Sequence, residues 1–418
     1  MSEQTPPAEV ATRLSRRVGV RDAVVIGLGS MVGAGVFVAI GPAARAAGNA
    51  LWLGLLVAAV VAYCNATSSA QLAALHPQSG GTYVYGRERL GGFWGFLAGF
   101  GFTAGKLASC AAMALTFANY AAPQWARPLA IGAVVALTTL NLFGIQKSVG
   151  ATRAIVALVI LSLAVVLVSL FTGSSLDASR LWPFEGASVR GVMQAAGFLF
   201  FAFAGYARLA TLGEEVIDPR RTIPRAIPIA LGIALVIYVL VALAALLAVP
   251  TAELGRAPAP LVAALEAAGR SSLAPVVRAG AVVASLGVLL SLLLGLSRTI
   301  FAMASNGDMP RLFAVVDERH KVPRRAEIAV GAVVVAALMA ADLRTSIGFS
   351  SFAVLIYYAI TNAAALTLEP GERRWPRWIA VLGLVGCAAI ALSLPLESVI
   401  AGAAMLIVGA LSWRVAKR

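Results

Sequence analysis

The sequence predicts an all-α polytopic membrane protein, and three observations carry that prediction. The 418 residues are 60% hydrophobic and only 12% charged, with a mean hydropathy of +0.87; soluble domains run near 45–50% and about 25%. The apolar residues fall into long uninterrupted segments. The basic residues collect in the gaps between them, more heavily on alternate gaps. This composition excludes a soluble enzyme, and a disordered chain too, because disorder needs low hydrophobicity.

Twelve segments are long enough to cross a bilayer, which takes about 17–25 residues: 22–46, 50–74, 92–121, 127–144, 152–172, 191–213, 225–249, 276–302, 326–342, 346–367, 376–394 and 396–414. With a cytoplasmic N-terminus, the inside gaps carry 23 Lys and Arg and the outside gaps 8, leaving Lys106 and Arg208 within spans. That asymmetry supports both termini in the cytoplasm. The same excess explains the net charge of +14 without nucleic acid as a partner. The bilayer is the expected partner, in a bacterial inner (plasma) membrane. Residues 1–18 read as a polar cytoplasmic arm expected to be disordered, and no cleavable signal peptide is expected.

Cysteine and histidine add little. Cys64, Cys110 and Cys387 lie in apolar stretches, and His76 and His320 in different gaps. No disulfide framework, metal site or cofactor is expected.

Two spans are interrupted. The first carries Gly29, Gly33 and Gly35 within seven residues, then Gly41-Pro42. Glycines weaken a helix, and a break in lipid must find partners for the freed backbone groups. Two readings stand: a break at Gly33–Gly35 whose bare N–H groups bind a carboxylate, or close helix packing through the Gly29/Gly33 pair. The sixth span carries Phe200-Phe201-Ala202-Phe203-Ala204-Gly205-Tyr206-Ala207-Arg208 and leads to Glu214-Glu215. Gly33 and Gly205 lie 172 residues apart at corresponding places. Interrupted segments at matched positions of two halves point to a midplane binding site, and five spans per half makes the second half inverted.

These residues also carry a resemblance. Gly29 to Phe37 resembles the G-x-x-x-G-x-G-[IV]-F signature of the amino acid–polyamine–organocation transporter superfamily. Pro77 to Tyr85 resembles its P-x-[SA]-G-G-x-Y-x-Y turn, Phe200 to Pro224 its helix 6 block, and Ser297 to Pro323 its stretch between helices 8 and 9. The resemblance implies the LeuT-like fold: a 5+5 inverted repeat with broken helices 1 and 6, here 19–172 and 173–367, followed by helices 11 and 12 at 368–418. It implies a small-molecule amino acid substrate moved by alternating access. The substrate carboxylate would meet the N–H groups of Gly33, Ala34 and Gly35. Its ammonium would meet carbonyls at Met31, Phe201 and Ala204, beside Gly205. Phe201, with Phe203 as neighbour, would form a gate over the substrate. Glu214, read from its own surroundings beside Arg220 and Arg221, is a solvated or paired interfacial carboxylate or a cytoplasmic gate. The chain departs from the family at Ala34, where many members have a hydroxyl, and at Val159, where some have a coupling lysine.

Charges inside spans are costly and functional by default. Lys106, about fourteen residues into the third span, is a candidate proton-coupling group; structural pairing or snorkelling is its other reading. Arg208 cannot act as a proton carrier and reads as a carboxylate or inner-gate partner, or as a vestibule arginine. No acid is expected at mid-depth, so neutral amino acids lead as substrates, moved with protons or by exchange. A cationic amino acid or polyamine exchanger is the alternative, and a non-transporting sensor or scaffold the alternative of another class. No H-E-x-x-H pair or G-x-S-x-G elbow suggests an enzyme. Monomer and homodimer both stay open.

Overall fold

The computed structural model describes residues 18–78, 80–144, 149–173, 176–182, 184, 187–210, 216–317 and 320–416. Among them every long element is a helix. In chain order these are α1 (Val20–Met31), α2 (Ala34–Val38), α3 (Ile40–Ala47), α4 (Leu51–Leu75), α5 (Thr82–Leu90), α6 (Gly92–Ala121), α7 (Ala126–Leu142), α8 (Val149–Phe171), α9 (Val189–Phe203), α10 (Ala207–Ala210), α11 (Pro219–Ala248), α12 (Thr251–Leu254), α13 (Pro260–Ala267), α14 (Ala274–Ser305), α15 (Arg324–Ala340), α16 (Leu343–Leu366), α17 (Arg377–Ser393) and α18 (Leu396–Ala416).

Over its described residues each of the twelve apolar segments is mainly helical, the first with a break at Val32–Gly33. By length and apolarity, ten helical spans among the described residues can cross a membrane. The segments expected at 326–342 and 376–394 fall just short, because α15 and α17 have 17 residues each. The chain is therefore a multi-pass membrane protein with about ten clear spans. Of the arm expected at 1–18, only Val18 lies within the described residues. It forms an isolated parallel bridge with Val216, and its carbonyl accepts the Ile217 N–H at 2.9 Å.

Local chemistry sets the helix boundaries. Ser188 caps α9 by accepting the Gly191 N–H at 3.0 Å, and Asp342 caps α16 by accepting the Thr345 N–H at 2.7 Å, each satisfying one of the free N–H groups of a first turn. Pro219 opens α11, where its missing N–H is no loss. The packing centres on α6 and α16, which lie against each other; α14 joins them, α4 packs on α9 and α11, and α1 packs on α11. In its most apolar stretch α16 is 72% buried, whereas α18 is 17% buried and α7 with its preceding turn 22%. The most enclosed helices are α16, α6 and α9, and α7 and α18 lie at the periphery.

Candidate functional site

The two interrupted spans meet at their interruptions. α1 ends at Met31, Val32 and Gly33 leave helical geometry, and α2 starts at Ala34. α2 runs on into α3 through Ala39, which is itself helical in conformation and donates to the Gly35 carbonyl at 2.9 Å. The break therefore sits between two helical segments of one span. In the sixth span α9 stops at Phe203, a single 3-10 turn covers Ala204–Tyr206, and α10 follows.

Glycine is required at this meeting for space. A Cβ on Gly35 would stand 2.7 Å from the Ala202 Cα, and one on Gly205 would run into the Ser30 carbonyl and stand 2.7 Å from the Met31 nitrogen. Real Cβ atoms do not approach so closely, so each break is cut to receive the other. Gly33 faces α14, where its missing side chain is replaced by Val288. Ser30 returns its hydroxyl to Ile26 of its own helix at 3.0 Å.

Freed carbonyls at the breaks find a partner in Tyr238 of α11. Its hydroxyl reaches the Met31 carbonyl at 2.5 Å and the Ala202 carbonyl at 2.9 Å. One hydroxyl carries one proton, so the two oxygens share a single donor and keep lone pairs for another. Phe203, fully enclosed, packs edge-on against the Tyr238 ring at 4.9 Å and holds it there. Phe201 is 9% exposed. The neighbouring wall is aromatic: Tyr206 stacks on Tyr358 at 4.9 Å, and Phe200 meets Tyr358 edge-on at 5.9 Å. Tyr238 is a functional candidate that sequence reasoning missed, because Ile237-Tyr238-Val239 reads as an ordinary apolar stretch.

The charged candidates separate. Lys106 is buried on α6 with its ammonium 5.5 Å from the centre of the Phe102 ring, and no carboxylate among the described residues lies within 4 Å of it. Phe102 in turn meets Tyr357 of α16 at 4.9 Å. Arg208 is exposed on α10. Glu214 and its neighbour Glu215 lie outside the described residues. Ser285 and Ser291 donate to carbonyls of their own helix, while Ser350 bonds Ser109 across α16 and α6 at 2.7 Å. Val159 is buried in α8.

A second assembly, also missed by sequence reasoning, locks α5 to its surroundings. Arg87 pairs with Asp308, just after α14. The Tyr83 hydroxyl donates to the same carboxylate at 2.5 Å and accepts from Arg87 at 3.0 Å and Asn306 at 3.2 Å. Burial and the Asp308 carboxylate push the Tyr83 phenol up to about 12, so it remains a donor at neutral pH. Arg89 makes two bonds to Glu372, at 2.6 and 3.0 Å, and a third to His76 at 3.2 Å. Burial, then the Arg89 charge, lowers the His76 imidazole below its usual range. The start of α5 is held by Tyr357, whose hydroxyl accepts the Thr82 N–H at 2.9 Å. Two of the motif stretches, 77–85 and 305–310, thus meet across 225 residues.

Comparison with known proteins agrees with this architecture. The amino acid permease family model matches residues 22–415. The chain is 58% identical to an uncharacterized transporter of Mycobacterium tuberculosis over 415 residues, covering 99% of this chain and 94% of the relative. It is 28% identical to a branched-chain amino acid permease of Bacillus subtilis, over 74% of this chain and 71% of the relative. It is 30% identical to human cationic amino acid transporter 4, over 86% of this chain and 60% of the relative. An interlocked pair of broken helices within a bundle of apolar spans, matched by the family model from the first span to the last, shows that the chain belongs to the amino acid permease family of membrane transporters and is not an enzyme.

Proposed function

We propose that the protein is a secondary transporter of neutral amino acids working by alternating access, with its substrate held where the two broken helices meet. The observation that supports this most is the mutual fit of the breaks: Gly35 against Ala202, and Gly205 against Ser30 and Met31. The substrate carboxylate binds the N–H groups of Gly33, Ala34 and Gly35, which have no intrahelical acceptors at the start of α2. The ammonium binds carbonyls at Met31, Phe201 and Ala204, with the Tyr238 hydroxyl released from one carbonyl as the ammonium takes it. Phe201 gates the site from above, and Phe203 positions Tyr238.

In this reading all twelve helical segments cross the bilayer, including the two of 17 residues. Residues 19–172 and 173–367 form the inverted units, α17 and α18 are additional, and both termini face the cytoplasm of the plasma membrane. The neutral preference rests on the described residues named at the breaks, which are glycine, alanine, serine, methionine, valine, phenylalanine and tyrosine and include no carboxylate. A second amine on the substrate would require a carboxylate there. The 30% identity to a cationic amino acid transporter favours the other reading, an exchanger of cationic amino acids or polyamines.

The test is uptake by purified protein in proteoliposomes, offered labelled alanine, leucine, arginine, glutamate and putrescine. Uptake of alanine or leucine is the expected result. Uptake of arginine or putrescine alone, dependent on internal counter-substrate, overturns the neutral reading in favour of the exchanger.

A further inference from the structure

Away from the breaks, two helix ends and the side of a third helix converge on a buried acid. Glu327 lies one turn into α15 and is 1% exposed. Its Oε1 is 2.7 Å from the Ser297 hydroxyl of α14, while no donor stands at full hydrogen-bond geometry to its Oε2. Asn141, the next-to-last residue of α7 and fully enclosed, lies close enough to the same carboxyl for its amide to act on it. Neither its Oδ1 nor its Nδ2 meets a partner at full hydrogen-bond geometry. One turn back on α7, the Thr138 hydroxyl is also unpartnered and faces Gly331 of α15. The charged group that acts on Glu327 from a packed helix is Arg298 of α14, which is exposed and beyond ion-pair distance. Of the other elements packed on α15, α6 carries Lys106 and the turn at 311–313 carries Arg311, and α15 itself carries Arg324 and Arg325; none of these pairs with Glu327 within 4 Å.

Counting protons distinguishes this cluster from ordinary packing. Ser297 has one hydroxyl proton and two acceptors in reach, the Leu294 carbonyl at 3.0 Å and Glu327 Oε1. If Glu327 is ionised, Ser297 donates to Oε1 and the Asn141 Nδ2 can turn to Oε2. If Glu327 is neutral, its own O–H donates either to Ser297, whose proton then serves Leu294, or to the Asn141 Oδ1 after the amide turns over. The surroundings offer partners to both protonation states. Leaving either state without partners in a buried site would be expensive.

We propose that Glu327, framed by Ser297 and Asn141, is a proton-binding site separate from the helix breaks, and that its protonation is coupled to them through α14. The reaction is simple addition of a proton to the carboxylate, with no other bond made or broken. α14 is a continuous helix that places Val288 against Gly33 at the first break and Ser297 against Glu327. The two positions are nine residues, or about 14 Å, apart along the axis. A change of charge where α14 meets α15 therefore acts on the same rod that packs on the break. Proton binding stands on these residues alone; its coupling to substrate rests on the transporter reading above.

The experiment is pH-difference infrared spectroscopy of the full-length protein in liposomes, between about pH 5 and about pH 8, together with uptake by the same preparations. The expected result is a protonated-carboxyl C=O band in the wild type that is absent in Glu327→Gln. In Ser297→Ala the band persists and its proton affinity shifts by about tenfold. Stimulation of uptake by a proton gradient is expected to fall to nothing in Glu327→Gln while gradient-free exchange continues. A band that Glu327→Gln leaves unchanged overturns the proposal, as does a spectrum that answers to sodium instead of pH. If the band behaves as expected but no substrate is taken up by any variant, the proton site stands and the transport reading fails. If uptake is robust and its gradient dependence survives in Glu327→Gln, the coupled proton site fails and the transport reading stands.

Discussion

The helix-break region and the α5 assembly hold the bundle together by opposite means. At the breaks the contacts are backbone to backbone, made possible by what Gly35 and Gly205 lack, and the added polar group is the single Tyr238 hydroxyl. Around α5 the contacts are side chain to side chain: Arg87 and Tyr83 on Asp308, Asn306 on Tyr83, and Arg89 on Glu372 and His76. A backbone site has fixed geometry and small tolerance, which suits recognition of a carboxylate and an ammonium. A charged side-chain assembly of partly exposed groups can be broken and remade at modest cost.

The comparison can be broken most severely at the glycines. Gly205→Ala places a methyl group against the Ser30 carbonyl. Overpacking of this kind costs about 1–3 kcal/mol or more, so uptake is expected to fall at least about tenfold, with the protein still extracted as a monodisperse species. Normal uptake would show that the breaks do not need their close approach.

Asp308→Asn tests the α5 assembly. It removes the charge that Arg87 and Tyr83 share. A charge-assisted bond is worth about 1.5–3 kcal/mol, reduced here because Arg87 is 37% exposed. Amide hydrogen exchange across Thr82–Leu90 should accelerate by about tenfold while exchange in α9 is unchanged. Tyr238→Phe comes next: it keeps the ring on Phe203 and deletes one shared hydrogen bond, worth about 1 kcal/mol. The expected effect is a change of about fivefold in substrate KM with little change in stability.

The smallest effect concerns the Arg89–Glu372 pair. Hydrogen bonds from Arg89, then from the Glu369 N–H, hold the Glu372 carboxyl below its usual range. A carboxyl lowered by folding stabilises the folded state at neutral pH, and that contribution is lost as pH falls through the folded value. The Tm difference between wild type and Glu372→Gln should therefore be constant near neutral pH and shrink as pH falls below about 4.3, the value of an unfolded glutamate. A difference that grows on acidification would contradict the pairing.

Much of this molecule is legible from residues alone, for physical reasons. The spans are visible because a bilayer demands long apolar runs, and each of the twelve runs is mainly helical over its described residues. The α15 and α17 segments reach only 17 residues because α15 is bounded by Pro323 and by Ala341-Asp342, and α17 by Pro376 and the turn at Leu394-Pro395. The breaks are visible because glycines cluster where a helix must stop. Tyr238 is invisible because one tyrosine in an apolar helix has no distinguishing pattern, and only the fold brings it to Met31 and Ala202. Asp308 and Arg87 read as loop charges, and it takes the approach of α5 to the end of α14 to make them partners. Glu327 is overlooked because it is the second residue of the span expected at 326–342, beside Arg324-Arg325, and reads as an interfacial charge, whereas α15 begins at Arg324 and carries it inside.

The central claim, that the start of α2 holds the substrate carboxylate while the break carbonyls hold its ammonium, is tested most directly by calorimetric binding to purified protein. A transported neutral amino acid is compared with its methyl ester, which keeps the ammonium and side chain and removes the negative charge. The account predicts that the amino acid binds and the ester does not, a loss of at least about 1.5 kcal/mol, or tenfold. Equal binding of the two would contradict it and move the recognition of substrate away from Gly33, Ala34 and Gly35.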